Sequence, residues 1–206
     1  LVYKEGKYSY YHAAYTKEFL DEYFGIEELS SLAASHHLPN KAIIKISDNI
    51  AAAHDRRDSD FDDNSNQDFI LMRLSSIFNL IGDSDNSEIV AMKRYLHFNG
   101  FLKNKPRTLK DAKAEYLALY QEFVDEIKPL KGSYHYLYGI LKEYLYAIPA
   151  STYQVKCAYV SLFDHSKLTA AIANCLNKTS LKKQFIILKY HIHGITDFVY
   201  QDNDMD

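Results

Sequence analysis

Apolar residues recur every three or four positions over most of the chain, the spacing that is typical of one buried helix face. The pattern predicts a mainly helical fold. Helices are expected over residues 8–23, 26–35, from 40 to about 54, 109–127, 134–146 and 164–177. A short apolar run at 185–192 predicts a strand. No apolar run reaches the ~18 residues that a membrane-spanning helix needs, so no contact with a membrane is expected.

The last of these helices carries the most distinctive chemistry. Asp164 is expected to be its N-cap, since a carboxylate accepts free N–H groups of the first turn. His165 then lies in the first turn, a rigid place from which an imidazole can reach into a site. The expected buried face consists of Leu168, Ala171, Ile172, Cys175 and Leu176.

Three other segments complete the pattern. The third helix is expected to pack through Ile43, Ile44, Ile46, Ile50 and Ala53, and the helix over 109–127 through Ala112, Tyr116, Leu119, Tyr120 and Phe123. Residues 55–68 are almost wholly polar, which predicts a solvated, mobile loop outside the core. The apolar segment 70–81 fits a helix or a strand equally well.

Composition narrows the class of protein without identifying it. With 206 residues and 47% hydrophobic residues, the chain can bury a core as one domain, or as one domain plus a fragment. Its net charge of −3 gives no overall basic footprint for nucleic acid. Two cysteines indicate no disulfide framework, and with no signal peptide the chain is expected in the cytoplasm.

Four segments, in order, resemble one family. Residues 47–57 resemble a helix end that closes on two arginines, and 73–78 resemble a "PL-x-SIF" segment. Residues 146–152 with 161–173 resemble an "IPSST … SLYDH … TTAAIA" signature, and 185–198 resemble a strand that opens a Palm domain. The family is the large, Palm-containing subunit of type III CRISPR effector complexes, in its Csm-type branch.

The resemblance implies a fold and a domain division. Residues 1–177 are expected to form a helical bundle like a circularly permuted HD domain. Residues 178–206 are expected to be a linker and the first strand of a ferredoxin-like Palm domain, cut off at its end. The first residue is not methionine, so the start of the natural protein is expected to be missing.

The resemblance also implies an activity, cleavage of single-stranded DNA with a divalent transition metal, Mn or Ni, in antiviral defence. The expected partners are the other effector subunits, with guide RNA and target RNA bound through the whole complex. The expected metal ligands are His12, His36, His37, Asp48 and His165, with His36 and His37 catalytic. From the residues alone, Asp48 fits a buried acid that only makes hydrogen bonds as well as it fits a metal ligand. On the same evidence, His12 is an ordinary histidine of an amphipathic helix.

One departure from the family changes the expected activity. The family's paired His-Asp motif precedes the first helix, and this sequence contains no equivalent of it there. His54-Asp55 falls in the segment that ends on Arg56 and Arg57, and it is expected to end a helix rather than bind metal. Metal affinity is therefore expected to be low and DNA cleavage weak or absent until an upstream His-Asp segment is restored. The restored cleavage should be lost on His36→Ala or His37→Ala and kept on His54→Ala.

Two other functions stay open at this point. The chain could be an assembly module, with an incomplete metal site, that docks onto the Palm and neighbouring subunits. It could also be an unrelated HD-type phosphohydrolase that acts on a nucleotide. Synthesis of cyclic oligoadenylates is not expected, because the chain has no Gly-Gly-Asp-Asp turn. A basic group, Lys178, Lys182, Lys183 and Lys189, is either a nucleic-acid or subunit contact or a solvated turn.

Overall fold

The computed structural model describes residues 11–35, 42–55, 69–80, 88–95, 100–130, 136–151 and 157–178. Within these ranges the chain is mainly helical, as predicted. The α-helices are α1 (Tyr11–Tyr23), α2 (Glu27–Ala34), α3 (Ala42–Asp55), α4 (Leu109–Ile127), α5 (Leu137–Leu145) and α6 (Leu162–Lys178). Two short strands, β1 (Glu88–Ile89) and β2 (Leu102–Lys103), pair antiparallel. None of the described helices combines the length and apolarity needed to cross a membrane.

The main hydrophobic core is built from the ends of α1, α4 and α5. The ring of Phe19 on α1 stacks on the ring of Phe123 on α4, with centroids 5.5 Å apart. The buried members of this core are Tyr23, Phe24, Met92, Leu119, Val124, Ile127, Ile140 and Tyr144. Each large side chain of this kind contributes about 1.5–3 kcal/mol when it is fully buried. Apolar burial of this kind therefore holds α1 against the α4–α5 pair.

Helix α4 begins and ends where the pattern predicts. The Thr108 side chain accepts a hydrogen bond from the Asp111 backbone N–H, and the Asp111 side chain accepts one from the Thr108 N–H. Tyr120 was expected on the packing face, and that expectation is wrong because the residue is 54% exposed. Ala112 and Leu119 are buried, and Tyr120 lies about 100° around the helix from Leu119, on its open side.

The segment at 70–81 is neither the helix nor the strand that its period allowed. It consists of two short 3-10 turns, Phe69–Leu71 and Ile77–Leu80, separated by an extended stretch. The Arg107 guanidinium donates hydrogen bonds to the backbone carbonyls of Ile70, Leu71 and Met72. These carbonyls have no partners within a regular helix or sheet, so a side chain from the start of α4 satisfies them.

Three of the four family-like segments meet around the start of α6. The Ser75 N–H donates to the Ala158 carbonyl at 2.7 Å, which ties the 73–78 segment to the signature. The Leu162 N–H donates to the Ile148 carbonyl at 2.7 Å, and Pro149 bridges to Ser161. The third segment is the C-terminal half of α3, which packs against α6. Segments far apart in sequence thus form one structural unit.

Some expectations concern residues outside the described ranges. These are most of the polar segment 55–68, the strand at 185–192, the domain boundary after residue 177 and the lysines beyond 178. They stay predictions.

Candidate metal centre

The first turn of α6 is capped by a serine. The Ser161 Oγ accepts a hydrogen bond from the Asp164 backbone N–H at 3.0 Å and donates to Asp164 Oδ2 at 2.8 Å. The expectation that Asp164 is the N-cap is therefore wrong. The helix begins at Leu162, two residues earlier than expected, because pairing with residue 148 brings Ser161 into the capping position. Asp164 instead accepts a hydrogen bond from the Ser161 hydroxyl through its Oδ2.

Packing of Phe163 orients this first turn. The side chain is buried, and the ring of Tyr138 on α5 meets it edge-on at 5.3 Å between centroids. The backbone N–H of His165 donates to the Ser161 carbonyl at 3.0 Å, so the histidine belongs to the regular helix. His165 therefore lies in the first turn of α6, as predicted, on a backbone held by both a cap and a core contact.

The inward face of α6 differs from the expected one. Ile172 and Leu176 are buried, as expected, but Leu168, Ala171 and Cys175 are exposed. The stripe that turns inward runs through His165, Thr169, Ile172 and Leu176 at spacings of four, three and four. The expected stripe was wrong at Leu168, Ala171 and Cys175 because two of the inward residues are polar, and an apolar pattern does not count them.

His165 meets Asp48 across the contact between α3 and α6. Their Nε2 and Oδ1 atoms are 3.1 Å apart, and the side chains are 14% and 34% exposed. An ionised carboxylate only accepts, so the imidazole N–H is the donor. Ser47 and Ala51 beside Asp48 are fully buried, whereas Ala53, expected on the packing face, is exposed. Small side chains on α3 let the two helices approach closely.

The Asp48–His165 pair fits a divalent transition metal in chemistry and in spacing. Imidazole nitrogen and carboxylate oxygen are ligands that such ions accept together. Two bonds of about 2.1 Å to atoms 3.1 Å apart enclose an angle of about 95°, which is reasonable for neighbouring ligands of one ion. Both side chains are partly exposed, so an ion can reach them from solvent. The pair could supply two of the ligands of a mixed N/O site.

The other expected ligands do not complete a site within the described residues. His12 is the second residue of α1 and is exposed, while His36 and His37 lie outside the described ranges. In the part of the chain that the structure describes, no group of three or more His, Cys, Asp or Glu side chains could hold a metal ion. His54 and Asp55 are the last two residues of α3, where a helix end was expected.

Sequence reasoning missed two residues of this region. Ser161 was overlooked as a cap because the acid at 164 has the same preference for helix starts. The spacing Ser161-x-x-Asp164 is itself a capping-box pattern and was the available signal. Thr169 was overlooked because it is polar, although it lies one helical turn beyond His165 on the inward stripe.

Comparison with known proteins gives three relatives with the same description, "CRISPR system single-strand-specific deoxyribonuclease Cas10/Csm1 (subtype III-A)". The protein of Enterococcus italicus is 29% identical over 239 aligned positions, which cover 92% of this chain and 31% of the relative. That of Methanocaldococcus jannaschii is 37% identical over 120 positions, 50% of this chain and 15% of the relative. That of Mycobacterium tuberculosis is 28% identical over 197 positions, 84% and 24% respectively.

No family model matches the chain. In each of the three relatives the similarity spans less than a third of the relative's length. The alignment with the Enterococcus protein nonetheless covers almost all of this chain, and the relatives carry the description that the four motifs suggested. Over 92% of its length in the Enterococcus alignment, the chain is therefore similar to a protein named as a Cas10/Csm1 deoxyribonuclease of a subtype III-A CRISPR system.

Proposed function

We propose that this chain forms part of a metal-dependent nuclease centre of HD type that cleaves single-stranded DNA. The observation that carries the proposal is the contact of His165 Nε2 with Asp48 Oδ1 at 3.1 Å across the α3–α6 interface. It joins an imidazole and a carboxylate that are 117 residues apart in sequence, both of them expected ligands. A contact between a helix N-terminal turn and a neighbouring helix is a rigid support for such a pair.

Each residue has a defined task in this proposal. Asp48 and His165 would hold a divalent ion, Mn or Ni, and His12, His36 and His37 would supply further ligands or contacts to the phosphate. A bound ion would polarise the scissile phosphate and lower the pKa of a bound water. Asp48 would contribute negative charge that favours the cation, and His165 would bind it through Nε2 of a neutral imidazole whose one proton is on Nδ1.

The relatives support the substrate class. Each is named a single-strand-specific deoxyribonuclease of a subtype III-A CRISPR system. Carried over to this chain, the name implies single-stranded DNA as substrate. It also implies a place in a subtype III-A CRISPR system. We propose the other effector subunits, guide RNA and target RNA as the partners there, and antiviral defence as the task. Because less than a third of each relative is matched, these are proposals for this chain.

A second candidate is an assembly module that docks onto a Palm domain and neighbouring subunits without cleaving DNA. One observation favours it: within the described residues, Asp48 and His165 are not joined by a third ligating side chain. In this case the Asp48–His165 hydrogen bond only fixes α3 against α6. The two candidates differ in whether the pair exchanges its hydrogen bond for a metal ion.

The test measures Mn²⁺ and Ni²⁺ binding by calorimetry together with cleavage of a circular single-stranded DNA. Wild type is compared with Asp48→Asn and His165→Gln, and with His54→Ala as a matched histidine control on α3. The nuclease proposal expects metal binding that both site variants weaken at least tenfold and His54→Ala leaves unchanged. Any cleavage should require the ion and follow the same order.

Other outcomes separate the alternatives. Absence of metal binding, with both site variants less stable than wild type, would establish the Asp48–His165 pair as a structural contact of an assembly module. Metal-dependent hydrolysis of nucleoside triphosphates without cleavage of DNA would indicate a nucleotide phosphohydrolase. If only His54→Ala abolished cleavage, the metal site would have to lie at the end of α3.

A further inference from the structure

Thr169 carries a buried polar atom that has no hydrogen-bond partner among the described residues. Its Oγ1 is shielded from solvent, although the side chain as a whole is only half-buried. The residue lies one helical turn beyond His165 on the stripe of α6 that turns inward. An unpaired hydroxyl thus lies one helical turn from His165 on the same face of α6.

A threonine in a helix has a local way to avoid this situation, and another threonine of the chain uses it. Thr16 Oγ1 donates to the carbonyl of His12, four residues earlier, at 2.8 Å. Thr169 stands in the same relation to His165 but makes no such bond. A buried hydroxyl left unpaired costs about 1–3 kcal/mol, and such groups are rare in folded proteins. Valine has the same shape as threonine but no hydroxyl. A valine at position 169 would therefore avoid the free-energy cost of a buried, unpaired hydroxyl.

We infer that Thr169 is a positioning residue of the metal centre, whose hydroxyl donates to the Asp48 carboxylate, directly or through one water, when a divalent ion is bound. The inference rests on the proposed function. An ion that takes His165 Nε2 removes the hydrogen bond that this nitrogen donates to Asp48 in the metal-free structure. Carboxylate ligands are themselves hydrogen-bonded by neighbouring groups, and losing such a partner typically lowers metal affinity 10- to 100-fold.

The direction of the side chain agrees with this role. Side chains on a helix lean toward its N-terminus, so the Thr169 hydroxyl extends along the turn that carries His165. Asp48 approaches that same turn from α3. The hydroxyl therefore belongs to the turn that follows the Asp48–His165 contact on the inward stripe, and Ile172 and Leu176 close the apolar end of that stripe.

The experiment compares Thr169→Val, Thr169→Ser and, as a matched control, Ser166→Ala, which removes an exposed hydroxyl from the same helix. Mn²⁺ affinity is measured by calorimetry, and the melting temperature is measured without metal. Thr169→Val should bind Mn²⁺ at least tenfold more weakly while its metal-free melting temperature stays equal to wild type or rises. Thr169→Ser should recover most of the affinity, and Ser166→Ala should match wild type in both measurements.

Two results would overturn the inference. If Thr169→Val binds Mn²⁺ as wild type does, the hydroxyl plays no part in the centre. If Thr169→Val melts well below wild type without metal, the hydroxyl has a structural partner instead. Asp48→Asn, measured in parallel, separates these results from failure of the proposed function: an Asp48→Asn variant with wild-type affinity would remove the metal centre itself.

Discussion

Two arginine side chains, those of Arg94 and Arg107, each contact two or more partners at places where separate segments of the chain meet. Arg94 donates to Glu126 at 2.8 Å and to Glu143 at 2.6 Å, and its guanidinium lies 5.4 Å from the ring centroid of Tyr144. Arg107 pairs with Glu115 and with three backbone carbonyls, and its side chain is 4% exposed. Fork-shaped guanidinium groups suit such sites because several donors have fixed directions.

Arg107 allows a residue-scale test of this account. Arg107→Lys keeps the charge but loses most of the donors, and it should lower the free energy of unfolding by about 3 kcal/mol because buried carbonyls and the Glu115 carboxylate lose partners. Urea denaturation followed by circular dichroism measures the change. Lys110→Ala, at an exposed position two residues into α4, is the control and should stay within about 0.5 kcal/mol of wild type. Equal stability of all three proteins would refute the role given to Arg107.

Tyr144 links stability to alkaline pH. Burial raises the pKa of its phenol, as does the hydrogen bond that it donates to Glu126 Oε2 at 2.7 Å. In the unfolded chain the phenol loses its proton near its ordinary pKa of about 10, while in the folded protein it keeps the proton. The unfolded state then binds fewer protons, so the stability that this residue contributes is present below pH ~10 and is lost as the pH rises further.

Tyr144→Phe tests this link. The variant should be about 2 kcal/mol less stable at pH 7, because Glu126 loses a buried donor. Its stability should fall less steeply than that of wild type above pH ~10, since one raised phenol pKa has been removed. Tyr120→Phe, at an exposed position, should follow wild type at every pH. An unchanged alkaline slope in Tyr144→Phe would contradict the assignment.

At the residue scale, the sequence alone identified Asp48 and His165 but not the two arginine clusters. The first two could be predicted because a carboxylate and an imidazole on apolar helices stand out from the pattern. The partners of Arg107 are backbone carbonyls 35 to 37 residues away, and a backbone carbonyl has no signature in the sequence.

At the scale of elements, α4 and α6 begin in the same way. Each has a hydroxyl residue three positions before an acid, Thr108 before Asp111 and Ser161 before Asp164, with hydrogen bonds in both directions. The hydrogen bonds from Thr108 lower the pKa of the Asp111 carboxyl, so this cap is complete above the ordinary carboxyl range and weakens as the pH falls. The difference between the helices is that the cap on α6 also orients His165.

This difference predicts unequal effects of equal cap deletions. Ser161→Ala and Thr108→Ala should each lower the free energy of unfolding by about 1 kcal/mol. Only Ser161→Ala should also weaken Mn²⁺ binding, by severalfold, because it loosens the turn that carries His165. Thermal melting and calorimetric titration of the two variants measure both effects. Equal Mn²⁺ affinity in the two variants would show that the cap does not position the histidine.

The extent of α4 could be predicted from its period, but the inward stripe of α6 could not. The helix at 109–127 has a hydroxyl cap, a long apolar repeat and a proline after its end, and all three signals agree. On α6 the apolar residues Leu168 and Cys175 suggested one face, whereas contact with α3 selected the face that carries His165 and Thr169. A polar interface between helices is invisible to a method that counts apolar residues.

At the scale of the whole molecule, the segments that resemble the family also lie close to one another in the structure. The described parts of three segments that resemble the family, 47–55, 73–78, and 146–151 with 161–173, meet around α6. The class of fold followed from periodicity, because most apolar residues repeat at helical spacing. The short sheet and the extended stretch at 74–76 did not, because they depend on pairings between segments more than ten residues apart. The metal ligands, Asp48 and His165 included, stay predictions.

The central claim is that Asp48 and His165 are neighbouring ligands of one divalent ion. The most direct measurement is a crystal structure of the chain soaked with Mn²⁺, with anomalous data collected at the manganese absorption edge. The account predicts one strong anomalous peak within about 2.3 Å of both an Asp48 carboxylate oxygen and His165 Nε2, which is the usual range for such bonds. An Asp48–His165 hydrogen bond still at 3.1 Å, with the anomalous peak elsewhere or absent, would contradict it.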